Sequence, residues 1–146
     1  MVDSAGPVVA VEAAMVAVRR RQTRRALARA AGASAADTAA QGVLDAVESA
    51  AGPIGVTGVA EALDVDQPRA SKVVAAAVEA GLVRRVADQA DGRRSRLELT
   101  AAGHERLAEV HRFRRDRFAA AMAGWTDGEQ ATFADLLTRF VAALES

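Results

Sequence analysis

VTGVAEALDVDQPRASKVVAAAVEAGLVRRVADQADGRRSRLELT, residues 56–100, is the stretch on which the fold turns. Thr57 to Leu63 reads as a short helix, with Thr57 as N-cap and Val59, Ala60 and Leu63 as its inner face. The tight Leu63-Asp64-Val65 segment follows. Asp64 falls where the turn needs a left-handed residue, a conformation Asp tolerates better than most. A second helix starts near Asp66 with Pro68 in its first turn, where a missing N–H costs little. Ala70, Val73, Val74, Ala77 and Gly81 share one face at helical spacing and must pack on the domain. Leu82–Ala87 and Ser95–Thr100 are strand-like, and Leu97 and Leu99 alternate with Arg96 and Glu98, the period of a half-buried strand. Asp88 to Arg93 is the tip, with Gly92 available for a tight turn. Helix, turn, helix and a basic-tipped hairpin is the order of a winged helix-turn-helix.

Working outward, Pro7 to about Ala31 is helical, with Val8, Val11, Met15, Val18 and Leu27 on one broad face. Its middle carries Arg19, Arg20, Arg21, Arg24, Arg25 and Arg29 with no acid among them. Two readings of these arginines stand: a solvated face, or a band facing DNA backbone or a partner subunit's acids. After a break at Gly32–Ala36, with Ser34 or Asp37 as N-cap, a second helix runs to about Ala50 and buries Ala40, Val43, Leu44 and Val47. Gly52-Pro53 ends it, and Ile54–Val56 is a candidate third strand for the hairpin.

Thr100 caps a long helix to about Ala123, with Leu107, Val110, Phe113, Phe118, Ala121 and Met122 as apolar residues and Trp125 just beyond. Thr126 and Glu129 have the spacing of a capping box, opening a last helix striped by Phe133, Leu136, Leu137, Phe140, Val141 and Leu144. The terminal helices carry more apolar surface than a small winged domain covers, and a helical dimer interface is the natural outlet. The expected architecture is mainly α with a small β-hairpin wing, one domain over residues 1–146. Residues 7–31 and 100–146 supply dimerisation helices. Residues 37–99 form the winged helix-turn-helix, with the wing at 82–99.

Composition agrees. The chain is 51% hydrophobic but only 3% aromatic, with Ala as the commonest filler and only 3 Pro, so helix is favoured throughout. There is no Cys, which excludes disulfides, Cys-ligated zinc and thiol sensing. No apolar run approaches the ~20 residues of a membrane span and no signal-peptide pattern opens the chain, so a soluble cytoplasmic protein with no membrane partner is expected. Net charge is zero, yet residues 66–96 hold seven cations (Arg69, Lys72, Arg84, Arg85, Arg93, Arg94, Arg96) against four acids (Asp66, Glu79, Asp88, Asp91). Distribution, more than sum, governs attraction to a polyanion. With no Tyr, two His and no Gly-rich phosphate loop, no nucleophile–base set stands out and no enzyme is expected. His104 and His111 lie seven apart on one helix, which is too little for a metal site. No cofactor is expected.

These residues resemble the MarR family of transcriptional regulators. Asp91-x-Arg93 followed by Leu97-x-Leu99-Thr100 resembles that family's wing and the start of its next helix. Ala60-Glu61-x-Leu63 resembles its first helix-turn-helix element. Val65-Asp66-Gln67-Pro68 leading to Glu79-x-Gly81-Leu82-Val83 resembles its recognition helix and exit. The spacing matches without gaps from Gly52 to Gly103. The resemblance implies a homodimer joined through its N- and C-terminal helices, each subunit placing the helix from Gln67 in a major groove of a palindromic double-stranded DNA operator, most often as a repressor. Asp64 stands where that family usually has Gly. The second helix is poorer in large apolar residues than usual, so the family's ligand pocket does not carry over directly.

Base reading needs side chains that reach a groove edge. Arg69 suits guanine, Gln67 adenine, Ser71 either, and Ala75 a thymine methyl. Lys72 suits phosphate, and Asp66 and Pro68 open the helix whose free N–H groups favour an anion. Arg93 at the wing tip suits a narrow minor groove, with Asp91 as its orienting partner, and Arg94 and Arg96 suit backbone. A small-molecule effector, if one acts, would enter a cleft between the dimer helices and the winged domain. Phe113, Met122, Trp125 and the first-helix arginines are its candidate lining, and each also reads as core or surface. A winged-helix protein-interaction module without DNA readout is the alternative.

Overall fold

Rich in Ala, the chain forms, among its described residues, six helices and one hairpin: α1 (Gly6–Gly32), α2 (Ala35–Ser49), α3 (Val56–Leu63), α4 (Gln67–Glu79), β1 (Val83–Ala87), β2 (Ser95–Leu99), α5 (Ala101–Ala121) and α6 (Asp127–Leu144). The computed structural model describes the backbone of residues 6–32 and 35–146, and side chains over 6–24 and 38–146. The expected cap at Ser34 and the side chains of Leu27, Arg25, Arg29 and Asp37 lie outside the described residues. The chain groups into two units, Met1–His104 and Glu105–Ser146.

In the first unit α2, α3 and α4 pack on one another, β1 meets α4 and β2 meets α2. The apolar spacing read from the sequence is what this core uses. Val43 and Leu44 of α2, Val59 and Ala60 of α3, and Ala70, Val74 and Ala77 of α4 are buried with Leu82, Val83 and Leu97 of the hairpin. Each buried Val or Leu contributes about 1.5–3 kcal/mol. On α2 the face is rotated slightly from expectation: Ala46 is buried, and Val47 only half so.

Two local readings need correction. Thr57 does not cap α3. The helix begins a residue earlier with Gly55 as N-cap and no side-chain cap. A Cβ at Gly55 would stand 3.0 Å from the Ser95 carbonyl, so a side chain there fits only if β2 gives way by a few tenths of an ångström. Ile54–Val56 does not form a third strand. The Ile54 carbonyl accepts one bond from Leu97 N (2.8 Å), and the backbone then turns directly into α3.

Both helices of the helix-turn-helix end in the same way. Asp64 is left-handed (φ 53), with Asp64 N–H on the Glu61 carbonyl and Val65 N–H on the Ala60 carbonyl. Gly81 is left-handed (φ 75), with Gly81 N–H on the Val78 carbonyl and Leu82 N–H on the Ala77 carbonyl. These paired bonds satisfy the last carbonyls of each helix. Asp66 starts α4: its backbone is extended and its Oδ1 accepts from Arg69 N at 2.8 Å.

The exit of α4, the return of the hairpin and the start of α5 meet at Thr100. Its hydroxyl donates to the Gly81 carbonyl (2.5 Å) and accepts from Gly103 N (3.1 Å), and its N–H donates to the Leu82 carbonyl (3.1 Å). Gly103 is buried beneath that same Leu82 carbonyl.

In the second unit, α5 ends at Ala121, two residues before the expected stop, and the chain passes through Gly124 (φ 84) into α6. The capping box is present, with Glu129 N on Thr126 Oγ1 (3.1 Å) and Thr126 N on Glu129 Oε1 (3.0 Å). The Thr126 backbone N–H, then its side chain, holds the Glu129 carboxyl below its ordinary value. Among the described residues of this unit only Leu107 is buried. Phe113, Phe118, Trp125, Phe133, Leu136, Leu137, Val141 and Leu144 are exposed.

Gly103→Ala places a methyl on the Leu82 carbonyl oxygen. It is expected to cost about 1–3 kcal/mol in urea unfolding, and an unchanged midpoint would refute the close approach. Asp66→Ala removes the α4 cap and should cost about 1 kcal/mol in the same measurement.

Candidate nucleic-acid interface

The burial of Ala70, Val74 and Ala77 fixes which side of α4 faces outward. Gln67, Pro68, Arg69, Ser71, Lys72, Ala75 and Glu79 are all exposed, as the spacing requires. Asp66 is also exposed, but its carboxylate is committed to the Arg69 N–H. The outer face is therefore small in its middle, at Ser71 and Ala75, and cationic over its first two turns. Among the described residues neither the Arg69 guanidinium nor Lys72 has an ion pair, so both side chains are available to an external anion. Gln67 Nε2 lies 3.5 Å from Thr57 Oγ1, which ties the start of α4 to the first turn of α3. That contact has no signature in the sequence, where Thr57 reads as a cap; the early start at Val56 is what turns its hydroxyl toward α4 instead.

The hairpin is antiparallel, in the register Val83↔Leu99, Arg84↔Glu98, Arg85↔Leu97, Val86↔Arg96 and Ala87↔Ser95. Its tip is closed by Asp88 N–H on the Arg94 carbonyl (2.9 Å) and Arg94 N–H on the Asp91 carbonyl (3.0 Å). Asp91 Oδ1 accepts from the Arg93 backbone N–H at 3.1 Å. Asp91 thus orients Arg93 through the main chain. The ion pair of its carboxylate goes elsewhere, to Arg94 Nε at 3.8 Å. Arg93 is exposed and, among the described residues, has no ion pair.

Arg96, expected to hold DNA backbone, is paired within the hairpin. Its guanidinium lies 2.9 Å from Glu98 Oε1, and its Nε is buried without a hydrogen-bond partner. Arg84 reaches the other oxygen of the same carboxylate, Nη2 at 2.9 Å and Nε at 3.3 Å. Neither Glu98 nor Arg84 stands out in the sequence as a site residue. The signal lies in the strand alternation: counting back from Leu99 and forward from Val83 sets 84 opposite 98, and Arg96 falls on the same face two residues away.

Of the candidate effector residues, Trp125 donates its backbone N–H to the Met122 carbonyl at 3.1 Å. Trp125 stacks edge-on against Phe133, with ring centres 5.3 Å apart, while Phe113 lies under the Arg117 guanidinium at 5.8 Å. Met122 is half-buried. Among the described residues no group of three or more His, Asp or Glu is arranged to hold a metal ion, and no helix is long and apolar enough to cross a membrane.

Comparison with known proteins places this geometry. A MarR family model matches residues 37–94, which span α2 to the wing tip. No curated protein sequence matches the chain. Solved structures share the fold over nearly the whole length. A MarR family protein from Bacillus stearothermophilus superposes with TM-score 0.73 at 18% identity, covering 96% of each chain. A transcriptional regulator from Thermotoga maritima gives 0.66 at 19%, covering 95% of this chain and 94% of its own. The YusO protein from Bacillus subtilis gives 0.64 at 19%, covering 97% and 99%. The MarR family model thus matches the winged unit, and the winged helix-turn-helix fold is shared with these structures from end to end.

Proposed function

We propose that the protein is a homodimeric regulator of transcription that binds double-stranded DNA at a palindromic operator and acts as a repressor. The observation that carries this reading is the outward face of α4. It is exposed, small and cationic, on a helix whose opposite side is fully packed. A face of that shape fits a major groove. Arg69 would read guanine, Gln67 adenine and Ser71 either base, Ala75 would contact a thymine methyl, and Lys72 would meet phosphate. The wing would put Arg93 into the adjacent minor groove, with Arg94 on the backbone. Phosphate contacts fix register, and the base contacts of α4 carry the sequence information.

Support for the dimer comes from the apolar side chains left uncovered in one copy. Val8, Val11, Met15 and Val18 of α1 and Phe133, Leu136, Leu137, Val141 and Leu144 of α6 are exposed. Apolar surface on this scale marks an association site, and a twofold dimer pairs the two recognition helices with a twofold operator. An effector would regulate by binding one spacing of the two recognition helices better than another. The protein would work in the cytoplasm, on chromosomal DNA, without a catalytic step.

The test is a salt series of anisotropy titrations against duplexes selected from genomic fragments. Steep loss of affinity with salt, and a preference for a palindromic sequence, are expected. Weak binding independent of salt would instead favour a protein-interaction module. Arg93→Ala is expected to weaken operator binding by about 1–3 kcal/mol. Lys72→Ala should lower affinity for all duplexes alike and shrink the salt slope by about one. Leu136→Arg should shift sedimentation from a two-chain to a one-chain mass and abolish cooperative operator binding, and a one-chain mass for the unmodified protein would refute the dimer.

A further inference from the structure

The hairpin carries five arginines, at positions 84, 85, 93, 94 and 96, and three acids, Asp88, Asp91 and Glu98. Their pairing is uneven. At the tip, Asp91 and Arg94 are 3.8 Å apart and both well exposed, at 50% and 81%, so solvent screens the pair and it breaks at little cost. At the root, Glu98 gives one oxygen to Arg96 and the other to Arg84, both at 2.9 Å. The side chains of Glu98 and Arg96 are only about one third exposed, at 33% and 34%. Partial burial makes the Arg96–Glu98 contact stronger than an open surface pair, while Arg84, 64% exposed, is held by two bonds to the same carboxylate oxygen. The stem of Arg96 is tucked in as well, since its Nε is buried. Cross-strand register and strand alternation put all three groups on one face of the hairpin, so the arrangement is built into β-structure and not into a loop.

We infer that Glu98 is a positioning residue that withholds Arg84 and Arg96 from the DNA backbone and so limits the sequence-independent part of binding; this rests on the DNA-binding reading above. An arginine bonded to a carboxylate reaches a phosphate only by giving up that partner, and the carboxylate itself repels the phosphate. Each cation that does neutralise a phosphate releases condensed counterions and tightens binding to any duplex without adding sequence information. By holding two of the five wing arginines at the root, Glu98 leaves backbone and groove contacts to the tip, where Arg93 and Arg94 stand. The expected consequence runs opposite to that of an ordinary structural lesion: removing this negative charge strengthens binding.

The experiment compares the full-length protein with Glu98→Gln on a random-sequence duplex across a salt series. Gln keeps the size and one acceptor of Glu. The variant is expected to bind random duplex more tightly at low salt, with the log–log salt slope steeper by roughly one to two per protomer. Adding Arg84→Ala to Glu98→Gln should take back about one unit of that slope, whereas Arg84→Ala alone should leave the slope of the otherwise unmodified protein unchanged. A Glu98→Gln slope equal to or shallower than that of the unmodified protein overturns the inference. So does a slope made shallower by Arg84→Ala alone, a measurement that does not depend on the folding of the Glu98 variant. If the unmodified protein shows no salt-dependent duplex binding, the DNA-binding reading fails first, and the two failures are thereby told apart.

Discussion

The rest of the structure depends on the Thr100 hydroxyl. One oxygen joins three segments: it donates to the Gly81 carbonyl at the end of α4, accepts from Gly103 N in the first turn of α5, and sits at the end of the strand that closes the wing. The backbone N–H of the same residue holds the Leu82 carbonyl, where the wing begins. The end of α4, the wing and the start of α5 therefore share one anchor point. None can change direction without breaking a bond at the others. The left-handed Gly81 and the missing side chain at Gly103 are what bring the strands of this junction close enough for one hydroxyl to span it. In a DNA-binding reading this gives the junction a second meaning. Any tilt of the first turn of α5 would be passed to the end of α4 through hydrogen bonds and not through loose packing, and the reading face would move with it.

Much of this is legible in the sequence because local rules and the global fold agree. The α4 face is readable in most of its positions: of the expected inner set Ala70, Val74 and Ala77 are buried, Val73 is half-buried and Gly81, beyond the helix end, is exposed. Ala70, Val74 and Ala77 recur at helical spacing with no competing apolar set, so the spacing alone separates inside from outside. Asp64 and Asp66 mark helix ends by side-chain chemistry, and Gly81 by having no Cβ to oppose a left-handed backbone. The Thr126–Glu129 box does the same for α6. Where sequence and fold part, a tertiary neighbour overrules a local preference. Thr57 is the better capping residue, but β2 passes so close to Gly55 that the helix starts one residue early over a bare glycine. The Ile54 carbonyl makes one bond of a sheet, as its apolar side chain suggests, and the helix start at Val56 then prevents a second.

The site is less legible than the fold, for a physical reason. Exposure is periodic and can be counted along a chain, but the partner of a charged side chain is a matter of register and reach. Arg93, Arg94 and Arg96 look equivalent in sequence. In the folded hairpin Arg94 is loosely paired across the tip, Arg96 is held by Glu98, and Arg93 is left to the solvent with its backbone fixed by Asp91. Only the two-residue alternation of β2 and the opposite strand's Arg84 distinguish these cases, and the second of these requires the register.

In the proposed role, that sorting bears on how a protein with no net charge would bind a polyanion at all. Zero net charge removes long-range attraction that would hold the protein on any duplex. What remains is local: among the described residues Arg69 and Lys72 on α4 and Arg93 at the wing tip have no ion pair, and under the proposed reading these are the cations that would meet a groove or a phosphate. Acids sit beside other cations of the wing. In that reading, such an arrangement would keep its free cations where base contacts are also made, so that close approach would be favoured mainly when the sequence fits. The pairing of Glu98 with two arginines at the root of the wing is the same restriction applied where no base can be reached.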